Sequence, residues 1–377
     1  MISTTPYIPE RITVHLGAPN SDAANVTVPF IDYIKNVASS EIYPTWDESA
    51  LRANILAIIS FALNRVYTEF YRSQGYPFDI TASTAIDQKF INGRNYFDSV
   101  SRLVDTLFDD YLRRIGFVEP LAAQFCNGTT VTCEGLSQWG SQSLAQQGQN
   151  SIQILRHYYG DNIEVVTDAP IRGIMPSYPG TPLRRGSQGA DVVRIQTILN
   201  RIGQNYPAIP RISPVDGLFG QQTEDAVRRF QSIFNLDVDG IVGKGTWYEL
   251  IRLYVGVNRL SELESEGQTF YGFSWQPPGT LQSGSSGQSV RQLQYMLQVL
   301  GEYAPSSPFV AQDGIFGEAT RNAVIAYQRF EGLTPDGIVG PATWNGMYDR
   351  IVGIFGSGGK PLTNYPGSPL QIGDTDF

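Results

Sequence analysis

Apolar and polar positions alternate at Ile12, Val14 and Leu16, which predicts a strand. The period changes at Phe30. Phe30, Tyr33, Ile34 and Val37 fall on one helical face. Thr45 followed three residues later by Glu48 is a capping-box signature and opens a long helix. Ile55, Ile58, Ile59, Ala62 and Val66 give that helix its buried stripe, and Gly75 is its expected end. A further helix is predicted from Val100, Leu103, Val104, Leu107, Phe108 and Tyr111, closing at Gly116. A β-rich stretch through Phe125 and short helices to Tyr159 complete an α+β domain over residues 1–168.

The rest of the chain repeats itself. LRRGSQGADVVRIQTIL from Leu183 matches LQSGSSGQSVRQLQYML from Leu281. The segment from Asp216, DGLFGQQTEDAVRRFQ, matches DGIFGEATRNAVIAYQ from Asp313. DGIVGKGTW ending at Trp247 matches DGIVGPATW ending at Trp344. Three ordered matches at one offset of about 97 residues mark a duplicated unit. Each copy reads as three helices. In the first, Val192, Ile195, Gln196 and Leu199 set one helical period, Ala226, Phe230 and Phe234 a second, and Trp247 and Leu250 belong to a third. The Asp216-Gly217 and Asp239-Gly240 pairs are turns whose glycines suit positive φ, and Phe219 and Phe316 are expected core plugs. The expected layout is an all-α module at 181–256 and another at 279–352. Pro- and Gly-rich linkers lie at 169–180 and 257–278, and a tail at 353–377.

Composition narrows the partners. A net charge of −9 over 377 residues excludes phosphate-backbone recognition, so no nucleic acid is expected. The longest apolar run, near Ile55 to Leu63, is too short to span a bilayer, and no membrane insertion is expected. The first residues lack a basic stretch followed by an apolar one, so no signal peptide is read there. The weakly charged surface, rich in Gly, Pro, Tyr, Ser, Gln and Asn, suits carbohydrate.

The DG-x-FG turn, the helix ending in FQ or YQ and the DGIVG-x-x-TW closure resemble the three-helix peptidoglycan-binding module of wall hydrolases. That resemblance implies peptidoglycan or spore cortex glycan as partner, with other wall hydrolases as companions, and a wall, spore or extracellular location. Most motif positions, including Asp216, Gly217, Phe219 and Trp247, read as structural. Tandem modules raise the effective concentration on a polymer.

The N-terminal segments VPFIDYIKNVASSEIYPTWDESALRA from Val28, STAIDQKF before Phe90 and GLSQWGSQSLAQQGQNSIQILRHYYG from Gly135 resemble the stage II sporulation protein D family of lytic transglycosylases. They are also similar to the related domain of clostridial spore cortex-lytic enzymes. The resemblance places the family's catalytic Glu at Glu41. Ile59 stands where the family usually has Arg, and Thr132 where many members have His.

The residues by themselves leave two readings of Glu41. It falls on the apolar helical face that begins at Phe30, where burial favours the neutral acid a glycosidic proton donor needs. Alternatively it caps or pairs near the turn before Pro44. Hydrolytic glycosidases use two carboxyls, and Asp47, Glu48 and Glu134 are the neighbours that would supply a second. A lytic transglycosylase manages with one and needs no metal or cofactor. Ser137, Gln138 and Trp139 are candidates for lining the cleft, or else form a helix start with Ser137 as its cap. Tyr33, Gln88 and Asn127 are further candidates for substrate contact. Cys126 and Cys133 close a short loop. Some relatives bind zinc in this region, but His15 and His157 both lie outside the loop. A disulfide is the preferred reading and a reduced pair the alternative. The expected activity is cleavage after N-acetylmuramic acid to 1,6-anhydro ends. The alternatives are a non-catalytic wall binder and an enhancer of a separate amidase.

Overall fold

The computed structural model describes residues 6–115, 117–213, 215–268, 279–301, 310–311 and 313–356. The chain divides into two compact units, Met1–Gly272 and Phe273–Phe377.

The first unit is built around one helix. α1 (Phe30–Glu41) follows directly from strand β3 (Asn25–Pro29), and its face of Phe30, Tyr33, Ile34 and Val37 is buried. α2 (Glu48–Tyr67) is buried on all sides, so its apolar stripe widens into a full circumference. It packs against α1, α3 (Asp98–Asp105), α4 (Gln138–Gln146) and α5 (Ser151–Tyr159). A helix hydrophobic all round belongs at the centre of a domain. The strands are short and peripheral. β2 (Arg11–His15) pairs antiparallel with β3 and parallel with β4 (Ile80–Thr81). β5 (Tyr111–Arg114) pairs antiparallel with β8 (Ile163–Val166), and β6 (Phe125–Cys126) lies parallel to β7 (Leu136–Ser137). β1 (Ile8–Pro9) pairs with β9 (Ile171–Arg172), which ties the start of the domain to its end.

Three local expectations need correction. α2 begins after Asp47, and Thr45 takes no part in its cap. Gln142 of α4 supplies the missing partner: its Oε1 accepts from the Asp47 N–H at 2.9 Å, and its Nε2 donates to Asp47 Oδ2 at 2.6 Å. α2 also stops at Tyr67, well before Gly75. Its last turn closes as a Schellman motif, with Phe70 N–H on the Arg65 carbonyl and Glu69 N–H on that of Val66. Glu69 sits at the left-handed position, φ 49°, where glycine is usual. Gly75 instead ends a short 3₁₀ turn. Finally, the helix begun at Asp98 ends at Asp105, and Tyr111 belongs to β5. Tyr111 and Leu112 are both buried, which a strand covered on two faces allows. The Leu112 N–H is taken by Ser60 Oγ of α2 at 2.8 Å. Gly116, the expected helix end, lies outside the described residues.

The first repeat copy folds as α6 (Ala190–Asn205), α7 (Gln221–Ile233) and α8 (Lys244–Val257). The second folds as α9 (Gln288–Gly301), α10 (Glu318–Phe330) and α11 (Pro341–Gly356). One polar device holds each copy, and it occurs twice per copy. Gln196 is buried in the first helix. Its Nε2 donates to Asp216 Oδ1, the Leu218 carbonyl and Thr223 Oγ1 at 3.1, 2.9 and 3.0 Å, while its Oε1 accepts from Gly217 N–H at 2.9 Å. Gln231 repeats this with Asp239, Ile241, Thr246 and Gly240. Gln294 does so with Asp313, Ile315, Thr320 and Gly314, and Gln328 with Asp336, Ile338, Thr343 and Gly337. The four glycines lie at φ 73–77°, so each Asp-Gly turn needs its glycine. Phe219, Phe316, Trp247 and Trp344 fill the cores between these turns.

The first copy is not separated from the N-terminal domain. Asn64 Nδ2 donates to the Leu260 carbonyl at 2.8 Å, and Arg114 Nη2 to that of Leu263 at 3.1 Å. Buried Glu119 accepts from Ser265 Oγ and Gln268 N–H, both at 2.9 Å. The opening of the segment expected as the second linker is therefore packed against the domain. Tyr67 and Val118 belong to the same apolar cluster as the first copy's core.

Gln328→Leu should leave the Gly337 N–H and Ile338 carbonyl without partners, each costing about 1–3 kcal/mol. Denaturant unfolding should show the second copy losing stability while the first unit keeps its midpoint. The same turns predict an acid response. Backbone N–H groups of Ile315 and Ile338, followed by the Gln amides, hold the Asp313 and Asp336 carboxyls below their ordinary 3.8. Lowered carboxylates contribute stability above the unfolded value and lose it as pH falls through the folded one. Hydrogen exchange at Ile315 and Ile338 should accelerate as pH drops below 3.8, after correction for intrinsic exchange. Asp313→Asn with Asp336→Asn should blunt that acceleration.

Candidate active site

Glu41 is the last residue of α1. The helix ends there because Pro44 follows and the chain turns extended at Ile42. Its carboxylate is half-buried and is held by polar contacts rather than sunk among apolar side chains. Oε1 accepts from the Lys89 N–H at 2.9 Å, and Oε2 accepts from Gln138 Nε2 at 3.3 Å.

Each partner is fixed from below. Gln138 is buried at the start of α4, and its carbonyl accepts from Ser141 Oγ, which in turn accepts from Asn54 of α2. Lys89 is placed by its neighbour Gln88, whose Nε2 donates to the Ile58 carbonyl at 2.9 Å and whose Oε1 accepts from Tyr33 Oη at 2.9 Å. Burial pushes the Tyr33 phenol well above its ordinary range, so it stays a donor. Asn36 pairs with both backbone groups of Ile91, stitching this loop along α1.

Tyr33 and Gln88 are both fully buried, with Gln88 bonded to Tyr33 and to the Ile58 carbonyl, so the structure places them beneath the loop that carries Lys89. Asn127 is likewise occupied. Its Oδ1 accepts from the Thr129 and Thr130 N–H groups at 3.1 and 3.2 Å, and its carbonyl accepts from Trp139 N–H at 3.3 Å. Ser137 is the N-cap of α4, bonding Gly140 N–H at 3.0 Å. A Cβ at Gly128 would fall 1.8 Å from Ser137 Oγ, so that glycine lets the loop close over the cap. Cys126 and Cys133 are joined by a disulfide across the loop. Thr132 and Glu134 are exposed on that loop, and Ile59 is fully buried. Glu48 is exposed and paired with Arg52, and Asp47 is held by Gln142.

Trp139 was open to a core position or a cleft position, and it is 41% exposed. Its ring meets Trp46 edge-on at 5.1 Å and Tyr43 at 5.5 Å, and Tyr43, 55% exposed, meets Trp46 at 5.6 Å. This aromatic trio adjoins Glu41, because Tyr43 follows it by two positions and Trp139 follows Gln138. Pattern reading missed Tyr43 and Trp46, since they lie between helices where no period exists. The one cue was two aromatics flanking the turn at Pro44. The arrangement offers a carboxyl, an amide and an aromatic surface in one place, the elements with which proteins grip and protonate a sugar ring.

Residues 188–250 and 286–347 match the family described as "Putative peptidoglycan binding domain". The chain is 33% identical over 186 residues to the N-acetylmuramoyl-L-alanine amidase CwlM of Mycobacterium tuberculosis, covering 48% of this chain and 40% of that one. It is 49% identical over 76 residues to the zinc D-Ala-D-Ala carboxypeptidase of Streptomyces albus G, covering 20% and 28%. The chain thus spans less than half the length of these curated relatives. A solved structure of the SleB N-terminal domain shares 34% identity over 20% of this chain and 97% of that one, with a TM-score of 0.18. Both matched segments coincide with the copies built on the buried glutamines. Through them the chain carries two peptidoglycan-binding domain repeats, at 188–250 and 286–347.

Proposed function

We propose that the chain is a lytic transglycosylase of peptidoglycan or spore cortex, acting in the wall or outside the cell, with Glu41 as its acid and base. The observation that carries this reading is the contact between Glu41 and Gln138, 97 residues apart in sequence, beside the exposed Trp139. Two of the segments that resemble the stage II sporulation protein D family meet there, at the one carboxyl the resemblance assigns to catalysis.

The chemistry needs a single carboxyl. In its protonated form Glu41 gives its proton to the oxygen linking N-acetylmuramic acid to the next sugar, and the bond from the anomeric carbon to that oxygen breaks. The acetamido oxygen of the same sugar stabilises the developing cation. The Glu41 carboxylate then takes the proton of the 6-hydroxyl as that oxygen bonds the anomeric carbon. The products are a 1,6-anhydro end and a free 4-hydroxyl, and Glu41 is again protonated. Gln138 and the Lys89 N–H orient the carboxyl, and the rings of Tyr43, Trp46 and Trp139 give a sugar face a surface to stack on. The two peptidoglycan binding domains hold the enzyme on its polymer.

A second reading rests on the relatives named as N-acetylmuramoyl-L-alanine amidases. In that case cleavage falls at the stem peptide. Product masses separate the two: anhydro-muramic ends mark the first, and new amino termini mark the second.

Glu41→Gln keeps the shape and both hydrogen-bonded positions but has no proton to deliver. It should lower release of 1,6-anhydro products by roughly 10²–10⁴-fold, the usual contribution of general acid–base catalysis. Sedimentation with insoluble wall should be unchanged. Asp47→Asn, which keeps an acceptor for Gln142, should retain most activity. Near-normal activity of Glu41→Gln would remove Glu41 from the mechanism. In a separate measurement, a chain ending at residue 268 should remain partly with the pellet, and the full chain should be held more firmly. Equal retention of the two would mean that the second copy adds nothing.

A further inference from the structure

A large cleft, about 1010 Å³, opens between the N-terminal domain and the first peptidoglycan binding domain. Its size stands at the upper end of ligand sites, which run to roughly 1,000 Å³. Glu41, Gln138 and the aromatic trio take no part in it.

Glu69 lines this cleft. It is the residue in the left-handed position after α2, where its side chain brings a conformational cost that glycine would avoid. It is 92% buried, Oε1 accepts from the Ser177 N–H at 2.9 Å, and Oε2 is buried with no hydrogen-bond partner among the described residues. Ser177 is held from the other side, accepting from Trp247 Nε1 at 2.8 Å. Burial pushes the Glu69 carboxyl above its ordinary range. Glu69 is thus a buried carboxyl on the cleft wall with one oxygen that has no hydrogen-bond partner among the described residues.

The walls indicate what the ligand is. Tyr7, Tyr76 and Tyr248 line the cleft together with exposed Lys244. Arg72 on the wall pairs with Asp79, and Arg65 with Asp87, whereas Glu10, Arg11, Glu69 and Lys244 form no ion pair among the described residues. The walls carry four basic and four acidic side chains, so no net charge selects an ion, and the tyrosines suit a neutral ring carrying hydroxyls. The duplication supplies a second, independent indication. Lys244 and Tyr248 of α8 correspond to Pro341 and Asn345 of α11, although the flanking Gly, Thr and Trp are the same in both copies. Lys244 and Tyr248 thus differ between the copies, while Leu236, which also lines the cleft, recurs as Leu333.

We propose that this cleft is a second glycan site, in which Glu69, Tyr248 and Lys244 hold a neutral N-acetylated sugar segment of the polymer away from the reacting bond. The identity of the polymer rests on the function proposed above, while the site itself does not require catalysis.

The test uses the full chain and the N-acetylglucosamine tetramer, which contains no muramic acid. Calorimetric titration of the parent should show binding at more than one place. Trp139→Ala should remove the component beside Glu41 and leave the cleft component. Lys244→Pro with Tyr248→Asn, the residues that α11 itself carries, should weaken the cleft component at least fivefold and leave the melting temperature near that of the parent. Glu69→Gln, which still accepts from Ser177, should weaken it several-fold. Binding unchanged in the Lys244→Pro, Tyr248→Asn chain overturns the proposal, as does loss of all binding in Trp139→Ala. Release of anhydro ends by the parent is scored in a separate reaction. If the parent releases none while the cleft variants still lose binding, the transglycosylase reading falls and the cleft stands.

Discussion

A buried glutamine amide closing an Asp-Gly turn is the constraint on which the C-terminal half depends. The amide is fully desolvated, so every atom must find a partner, and the turn presents them all: an aspartate oxygen, a carbonyl, a threonine hydroxyl and a glycine N–H. No apolar side chain can replace it without stranding the turn's own backbone groups. The apolar residues supply most of the driving force for collapse, but the glutamines decide where the chain bends. Because the device occurs twice in each copy, each three-helix unit is pinned at both of its turns.

The same economy of partners fastens the first copy to the N-terminal domain. Glu119 and Asn64 are buried polar groups whose partners come from residues after α8. A buried polar side chain that must reach another segment for its hydrogen bond makes that segment part of its own fold. The N-terminal domain is completed by residues that a reading by composition assigns to a linker. The candidate catalytic carboxyl depends on a comparable chain of support, from Asn54 on α2 through Ser141 to Gln138, and from Ile58 through Gln88 to Lys89.

Much of this was legible in the sequence. The buried faces of α1 and α2, the strand at Ile12 and Val14, and the three helices per copy follow from periodicity, because burial of a repeating face leaves a repeating pattern. Failures fell where local cues compete with distant partners. Thr45 and Glu48 look like a cap, yet Gln142, far along the chain, takes that role through Asp47. Tyr111 continues a helical spacing but pairs with Val166 of β8, and its neighbour Leu112 gives its N–H to Ser60. Tyr33 and Gln88 stand out as substrate contacts because they are polar residues inside resembling segments, and Asn127 because its loop precedes one. The polar atoms of Tyr33 and Gln88 hold the loop beside Glu41, and Asn127 Oδ1 accepts from the residues that follow it in its own loop. Ser137, Gln138 and Trp139 could be read either as a helix start or as a site, and the structure makes Ser137 the cap and leaves Trp139 exposed. No period could announce Tyr43 and Trp46, whose meeting with Trp139 depends on the packing of α4.

The duplicated segments carry a genetic consequence. Asp-Gly-Ile-Val-Gly stands at 239–243 and again at 336–340, so unequal recombination there would delete one repeat and fuse α6 and α7 to α11. The hybrid would keep both glutamines, both aspartates and both threonines, since each is present at matching places in the two copies. It would nonetheless carry Pro341 and Asn345 in place of Lys244 and Tyr248, and it would lack the residues after α8 that pair with Asn64 and Glu119. Repeat loss in this tandem pair would strip the N-terminal domain of its own buried partners. The two copies are therefore not interchangeable: the segment after the first one completes the N-terminal domain.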